Sequence, residues 1–586
     1  MLGLFASKIQ KQVIQASPPS YTVDKVVWER MFHLDKSRQS SSYLHGAVIL
    51  AVAVAIVRIL GALFRIPLGR MLEDTGMSTF TVASNIYAVL LTLSTAGLPV
   101  ALSKMISASA ALECPEQVRR VFSVGRNAFV LIGALSFFVM ATFSEQLAHF
   151  FGSPTAATAI LILSPAMLFV CLISAYRGYC QGFSIMMPTS VSQIIEAAAR
   201  FAIGLGAAWY LSTRGFSSEI TVAGAISGVT VGSLIACVYL FFKKRSIEQG
   251  IRFVRPSQKM DSRPVICKNL LRIAVPLTIG ASIFSLINLF DTAIIMHRLR
   301  AFFEMSYQSA GYTMDEAVRL AYLQAQSLHG TYAMTLPLMN LPSSFVIPIT
   351  VALIPAISGF LAKGDKRSAH QTAASGMRIT SLLALPAAVG LAVLATPIMH
   401  LLYADGFAVH GGGLMAMMGL SAFFLCFFQV TNCVLQAYGY ERYTVYTLTI
   451  GGLFKMALTW ILLADPDISI YGAAIATLAS YVLICVMNMV LVKWRVPNAP
   501  SFLRILTKPV ICTAVMGATA WAAYGLVSSL ISGFGGMASA ISLMAAILLA
   551  MVVYLILVVA LGAITREDME MLPRGGKLAK FLRVRS

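Results

Sequence analysis

The chain alternates between long apolar stretches and short polar segments. Each apolar stretch holds about 20 residues with few charges, the length that a helix needs to cross a bilayer. Fourteen such stretches follow residue 43, near 46–64, 80–103, 122–143, 157–178, 187–211, 219–242, 272–295, 326–360, 378–402, 412–437, 443–463, 469–492, 505–530 and 539–563. The pattern predicts an all-α integral membrane protein with about 14 transmembrane helices.

The eighth stretch, 326–360, is longer than the others and contains Pro337, Pro342, Pro348 and Pro355. Proline removes a backbone donor and kinks or breaks a helix. Membrane proteins tolerate such breaks where the backbone lines a cavity. We therefore expect a broken or bent segment here.

Composition agrees with a membrane protein: 58% of the residues are hydrophobic and 12% are charged, against about 25% charged in soluble domains. If the N-terminus is cytoplasmic, 35 of the 44 lysines and arginines fall in cytoplasmic segments and six in outer segments. Because positive charge favours the cytoplasmic side, we expect both termini there. The net charge of +20 then reflects topology and contact with anionic lipids, and not nucleic-acid binding.

The nine cysteines form no CxxC pair, so we expect no disulfide framework and no zinc site.

The two halves resemble each other at an offset of about 250 residues. The segment "YCQGFSIMMPTSVSQIIEAAAR" (179–200) aligns with "VLQAYGYERYTVYTLTIGGLFK" (434–455), and this alignment pairs Arg200 with Lys455. We expect two pseudo-symmetric six-helix lobes with the same topology. The expected domains are a flexible cytoplasmic tail at 1–43, an N-lobe at 44–242, a basic cytoplasmic linker at 243–271, a C-lobe at 272–495, a two-helix appendage at 496–565 and a basic tail at 566–586. Met31 is an alternative start.

Two arginines stand in or beside the first apolar stretch. Arg58 and Arg65 are seven residues apart, which places them on one helix face about 10.5 Å apart along the axis. An arginine at mid-membrane costs ~2.5–3.5 kcal/mol on insertion scales. That cost favours a position facing a wet cavity or an anion. Arg65, nearer the outer interface, has the alternative of extending into the headgroup region as a membrane anchor.

The opening of the apolar region resembles a known family. The most specific pieces are "RILGALFRIPL" (58–68) and "TAGLPVALSK" (95–104). They are similar to the stage V sporulation protein B and polysaccharide-biosynthesis family, which lies close to the MurJ-type lipid II flippases of the multidrug/oligosaccharidyl-lipid/polysaccharide (MOP) exporter superfamily. The resemblance implies two lobes around a central cavity, with two extra helices forming a lipid groove. It also implies flipping of a polyprenyl-diphosphate-linked sugar, such as a peptidoglycan precursor, to the outer leaflet of a bacterial cytoplasmic membrane, in a cell-wall or sporulation programme.

The resemblance also implies site residues. Arginines of the family's first helix are implicated in headgroup binding, and Arg58 and Arg65 occupy the matching positions. Lys104, at the end of the second span, would lie at the cavity mouth, unless it is only a cytoplasmic anchor. Arg298, after the seventh span, would meet the headgroup on the outer side. Guanidinium groups bind diphosphate oxygens in a bidentate manner.

Buried acids raise the question of ion coupling. Asp291 is the only carboxylate in the seventh span, where the resemblance implies a cation site shared with the eleventh span. That span carries Lys455 in place of an acid, which leaves open Na⁺ or H⁺ coupling or an ion pair with a cavity arginine. Glu196 and Arg200 are spaced i, i+4, which predicts an intrahelical ion pair. We expect no resident metal or other cofactor.

Two other functions remain open at this stage. One is a cation-coupled multidrug exporter of the same superfamily, and the other is a membrane-embedded polysaccharide polymerase or ligase. The chain has no GxSxG, HExxH or Walker motif, which favours a transporter over an enzyme. We expect a monomer whose partners are a lipid-linked sugar and anionic lipids.

Overall fold

The computed structural model describes residues 36–111, 114–250, 261–403, 408–465, 468–496, 501–531 and 536–564. The expected tails, apart from their inner ends, and the centre of the expected linker lie outside these residues. The chain divides into two units, residues 1–49 and 50–586, and every contact below lies within the second. The described residues form helices and turns and contain no β-strand, which confirms the all-α fold.

The described residues contain 17 α-helices. They are α1 (Lys36–Thr95), α2 (Leu98–Ala111), α3 (Pro115–Thr142), α4 (Ser144–Phe150), α5 (Ala157–Gly182), α6 (Met187–Ala199), α7 (Leu205–Thr213), α8 (Ser218–Gly250), α9 (Arg263–Ser309), α10 (Met314–Ala362), α11 (Lys366–Val393), α12 (Ala395–Leu402), α13 (Ala408–Ala437), α14 (Glu441–Leu462), α15 (Tyr471–Arg495), α16 (Phe502–Leu530) and α17 (Gly536–Ala560). A 3₁₀ turn at Pro154–Ala156 precedes α5, and a π-helical turn at Arg200–Gly204 joins α6 to α7.

Thirteen segments of the described chain are long and apolar enough to cross a membrane. The first, Ala53–Ala110, contains the first two of the fourteen predicted stretches. These are separated by a kink in α1 at Glu73, whose backbone is non-helical, with φ 56° and ψ −165°. The other twelve segments each match one predicted stretch. The difference of one therefore arises because α1 consists of two helices joined at this kink, so that two predicted spans fall in one segment.

Of the two alternatives expected for the proline-rich eighth stretch, a broken or a bent segment, the break does not occur. Helix α10 runs from Met314 to Ala362 through all four prolines. Side chains donate hydrogen bonds to carbonyl groups near these prolines: the Tyr403 hydroxyl to Met334 at 3.3 Å, the Asn340 amide to Leu336 at 2.7 Å and the Thr350 hydroxyl to Ile347 at 2.8 Å. These side-chain donors give additional partners to carbonyl groups around the prolines.

Buried side chains gather in separate clusters along the chain. One joins α2, α3, α5 and the C-terminal part of α8 around Phe129 and Leu240. Another joins α10, α11, α13 and α15 around Phe427. Helices α16 and α17 pack on each other and on α11, with Met516 and Ala546 in their cluster. This packing agrees with a pair of helices added to a larger bundle, while the lobe boundaries stay a prediction.

Contacts between helix ends agree with the predicted membrane sides. Among predicted outer segments, His297 is hydrogen bonded to the Phe150 carbonyl at 2.8 Å, and Arg298 donates to the Trp460 carbonyl at 3.2 Å. Among predicted cytoplasmic segments, the Gln117 amide donates to the Asp261 carboxylate at 3.0 Å. The contacts of His297 and Gln117 each join two segments that the charge pattern assigns to the same side, and Trp460 lies near the predicted outer end of its span.

Candidate functional site

A cavity of about 410 Å³ lies where α1 meets α10. We call it the first cavity. Helix α1 contributes to its wall on both sides of the Glu73 kink, and α10 contributes one turn before and after Leu341. The complete lining is Arg58, Gly61, Ala62, Phe64, Arg65, Phe80, Ser84, Tyr87, Ala88, Leu91, Leu163, Arg200, Ile226, Val229, Pro337, Asn340, Leu341 and Ser344.

Three arginines line the first cavity. Arg58 is exposed and Arg65 is half-buried, with its guanidinium 5.7 Å from the centre of the Phe80 ring. Arg200 reaches the same space from the π-helical turn. Among the described residues that line this cavity, none is acidic. The cavity therefore concentrates positive charge and presents guanidinium groups that match a phosphate or diphosphate.

A second cavity of about 280 Å³ adjoins the first. Both are lined by Arg58, Gly61, Phe64 and Arg200. The second cavity adds Arg177, Gln193, Glu196 and Ala197 with apolar residues of α1. Because Arg58 and Arg200 stand between the two spaces, one ligand can contact both arginines from either side.

Glu196 binds two arginines in the wall of the second cavity. Its Oε2 accepts a hydrogen bond from the Arg177 guanidinium at 3.2 Å, and its Oε1 lies 3.8 Å from Arg200. Arg177 also donates to the Ser192 hydroxyl at 2.9 Å. The i, i+4 pair predicted for Glu196 and Arg200 is thus present, but the shorter contact joins Glu196 to α5.

Close packing fixes the helix that carries these groups. Gly228 and Gly232 of α8 face the turn between α6 and α7. A Cβ at Gly228 would lie 3.0 Å from the Arg200 carbonyl oxygen, and one at Gly232 would lie 2.9 Å from the Glu196 carbonyl oxygen. Larger side chains would displace Arg200 and Glu196, so the small residues let the helices approach and position the ionic groups.

Hydrogen bonds close the protein on the predicted outer side of the first cavity. Ser78 and His329 are hydrogen bonded at 2.7 Å, and the Gln326 amide donates to the Thr79 hydroxyl at 3.0 Å. The Ser327 hydroxyl donates to the Asp74 carboxylate. We call these contacts between α1 and α10 the outer gate. They lie on the same helices as the cavity lining, beside the Glu73 kink of α1 and in the N-terminal half of α10.

Asp291 and Lys455 form a separate buried ion pair. The Lys455 ammonium lies 2.8 Å from Asp291 Oδ2, and the Thr459 hydroxyl donates to Oδ1 at 3.0 Å. Asp291 is 4% exposed and Lys455 is 8% exposed. Of the alternatives left open for Asp291, the structure has an ion pair, whose partner is Lys455 of α14 and not a cavity arginine.

Two predicted headgroup ligands lie outside both cavities. Lys104 is exposed near the middle of α2. The Arg298 guanidinium stacks 4.2 Å from the centre of the Trp460 ring. The structure therefore brings Arg58, Arg65 and Arg200 together and leaves Lys104 and Arg298 apart from them.

Sequence reasoning did not identify Arg177 as a partner of Glu196, because its charge was one of the 35 assigned to cytoplasmic segments. Its position at the end of an apolar stretch is typical of a topological anchor. In the structure it lies within α5, and its side chain reaches Glu196. The available signal was its place just upstream of a span that carries a lone acid, since a buried carboxylate needs a cation.

Comparisons with known proteins agree with this architecture. The family described as polysaccharide biosynthesis protein matches residues 43–361, and the MatE family matches residues 301–461. The chain is 25% identical to the lipid II flippase MurJ of Bacillus subtilis, over 82% of this chain and 87% of that protein. It is 25% identical to the stage V sporulation protein B of Bacillus subtilis, over 92% of this chain and 99% of that protein. A solved structure of the lipid II flippase MurJ in an inward closed conformation superimposes with a TM-score of 0.62 at 16% identity, covering 87% of this chain and 98% of that one.

Proposed function

This chain belongs to the polysaccharide biosynthesis protein family and is a multi-pass membrane transporter of the MOP superfamily, and we propose that it flips a polyprenyl-diphosphate-linked sugar. The observation that carries the proposal is the acid-free first cavity lined by Arg58, Arg65 and Arg200. A diphosphate is a dense anion, and arginines in a partly dehydrated site bind it with paired hydrogen bonds. The names of the two Bacillus subtilis relatives add support for lipid II or a related cell-wall precursor as the substrate.

Alternating access supplies the transport cycle in this proposal. The headgroup enters the first cavity from the cytoplasmic leaflet while the outer gate between α1 and α10 stays closed. Opening of the gate then exposes the headgroup to the outer leaflet, and the polyprenyl chain stays in lipid throughout. Positive charge in the cavity offsets the cost of moving a diphosphate through the low-dielectric interior.

The test measures flipping in proteoliposomes that contain fluorescent lipid II. We expect the wild-type protein to move the labelled headgroup to the opposite leaflet and Arg65→Ala to slow this at limiting substrate. Loss of a charged hydrogen-bond donor costs roughly 1.5–3 kcal/mol, which corresponds to about tenfold or greater loss of affinity. Arg214→Ala is the matched control, because Arg214 is exposed and stacks on Tyr210 outside both cavities.

Three outcomes decide the proposal. Slower flipping by Arg65→Ala with an unaffected Arg214→Ala supports it. Equal rates of flipping for Arg65→Ala and the wild-type protein would contradict the proposed anion site. Formation of new glycosidic bonds would identify a polymerase or ligase instead.

A second candidate is a cation-coupled multidrug exporter, favoured by the MatE match over residues 301–461. The charge of the cavity opposes it, because a cationic drug is repelled by three arginines. Drug efflux from loaded vesicles, with no flipping of lipid II, would favour this second function.

A further inference from the structure

The second cavity differs in chemistry from the first. Arginines provide the charge of the first cavity, and the described residues that line it include no acid. The second cavity adds the carboxylate of Glu196 and the amide of Gln193 beside Arg177. It therefore offers hydrogen-bond acceptors as well as donors, which suits a ligand rich in hydroxyl groups.

A single ligand can occupy both spaces. Arg58 and Arg200 line both cavities, so a diphosphate held by them has one side toward each cavity. In the second cavity the Glu196 carboxylate offsets part of the positive charge of its arginines, whereas the described lining of the first cavity has three arginines and no acid. The first cavity is therefore the more favourable place for a diphosphate. The diphosphate is then held on the side of the first cavity and Arg65, and the group attached to it extends toward Glu196.

The polar groups of the second cavity differ in how firmly the protein holds them. Arg177 is fixed by Ser192 and Glu196. By contrast, Gln193 Oε1 and Arg200 Nε are buried and have no hydrogen-bond partner. Glu196 Oε1 is 3.8 Å from Arg200, which is an ion pair beyond hydrogen-bond distance. A buried polar atom without a hydrogen-bond partner costs free energy. A ligand that forms hydrogen bonds with these atoms, after a small rotation of the side chains, removes that cost and binds more tightly.

We infer that the second cavity is a polyol subsite for the sugar next to the diphosphate, with Gln193 and Glu196 as the residues that determine sugar specificity. The inference rests on the proposed function, because it requires a lipid-linked sugar in the adjoining cavity. Gln193 accepts from a sugar hydroxyl, and Glu196 accepts from a second hydroxyl while it keeps Arg177. Arg58 and Arg200 hold the diphosphate at the boundary between the two subsites.

The experiment compares two probes that share the polyprenyl diphosphate and differ in whether the sugar-containing headgroup is attached to it. The dissociation constants of lipid II and of bare polyprenyl diphosphate are measured on the full-length protein in nanodiscs, and their ratio is the sugar preference. We expect the wild-type protein to prefer lipid II. Loss of one hydrogen bond costs about 0.5–1.5 kcal/mol, so Gln193→Ala should lower the preference by about two- to tenfold. Glu196→Gln is a second variant, which keeps the shape of the side chain and removes its charge.

Two controls separate this inference from the proposed function. Arg65→Ala should weaken binding of both lipids and leave their ratio unchanged, since Arg65 lies in the first cavity only. Glu219→Gln removes an exposed carboxylate at the start of α8 and should change neither constant. Thermal midpoints confirm that each variant is folded.

The outcomes are distinguishable. If the wild-type protein binds neither lipid, the proposed function fails together with the subsite. If Arg65→Ala weakens both lipids while Gln193→Ala and Glu196→Gln leave the ratio unchanged, the sugar subsite alone is wrong. A fall in the ratio for either folded variant supports it.

Discussion

At the scale of single residues, Asp291 and Lys455 form a buried ion pair in which each charge is stabilised by the other. Burial removes the water that would stabilise either charge alone. Removing one member of a buried pair costs roughly 3–5 kcal/mol, whereas replacing both by neutral groups is often nearly neutral. We therefore expect Lys455→Met to lower the thermal midpoint of the purified protein strongly, and Asp291→Asn combined with Lys455→Met to recover much of the loss.

The same ion pair also bears on ion coupling. In proteoliposomes, we expect the wild-type protein to flip lipid II at the same rate with and without a sodium gradient, because the Lys455 ammonium already neutralises the Asp291 carboxylate. Flipping that requires sodium in the wild-type protein would contradict this. A double variant as unstable as Lys455→Met would contradict the dependence of the two charges on each other.

The sequence predicted some side-chain positions of the candidate site but not all of their contacts. Arg58 and Arg65 were predicted to share a face because their spacing is a property of any regular helix, and both line the first cavity. The partners of Lys455 and Arg177 were not predicted, because each contact joins two different helices, and helical spacing says nothing about which helices pack together. Their roles in binding or coupling stay predictions.

At the scale of elements, the outer gate depends on close approach of α10 to the kink in α1. A Cβ at Gly330 would collide with the backbone of Asp74, next to Glu73. We expect Gly330→Ala to force these segments apart, to weaken the closed gate and to slow flipping. A cysteine introduced as Ser78→Cys should then react faster with a membrane-impermeant thiol reagent added from the outside.

The matched control lies on the same helix. A Cβ at Gly359 of α10 would meet nothing within 4 Å. Gly359→Ala should therefore keep both the rate of flipping and the slow labelling of Ser78→Cys, and should favour the helix slightly. Equal labelling in the Gly330→Ala and Gly359→Ala backgrounds would show that this contact does not keep the gate closed.

Elements differed in how well the sequence predicted them. Each predicted stretch overlaps helix that is long and apolar enough to span a bilayer, because apolar length is what the sequence pattern reports. The interruption of α1 at Glu73 falls between the first two predicted stretches, 46–64 and 80–103, whereas the continuity of α10 through four prolines was not predicted. The contacts at both places involve distant neighbours: Gly330 and Ser327 lie against Asp74, and Tyr403 donates to a carbonyl of α10.

At the scale of the whole molecule, the basic residues predict the direction in which the cavity faces. The bias of 35 to six predicts that the outer gate lies on the outer side and the C-terminal segment in the cytoplasm. A C-terminal green fluorescent protein fusion should therefore fluoresce, whereas a C-terminal alkaline phosphatase fusion should be inactive in cells. A phosphatase fused after Tyr312, in the predicted outer turn between α9 and α10, should be active. The opposite pattern would invert the direction of transport, because the arginine cavity would then face the outer leaflet when the gate is closed.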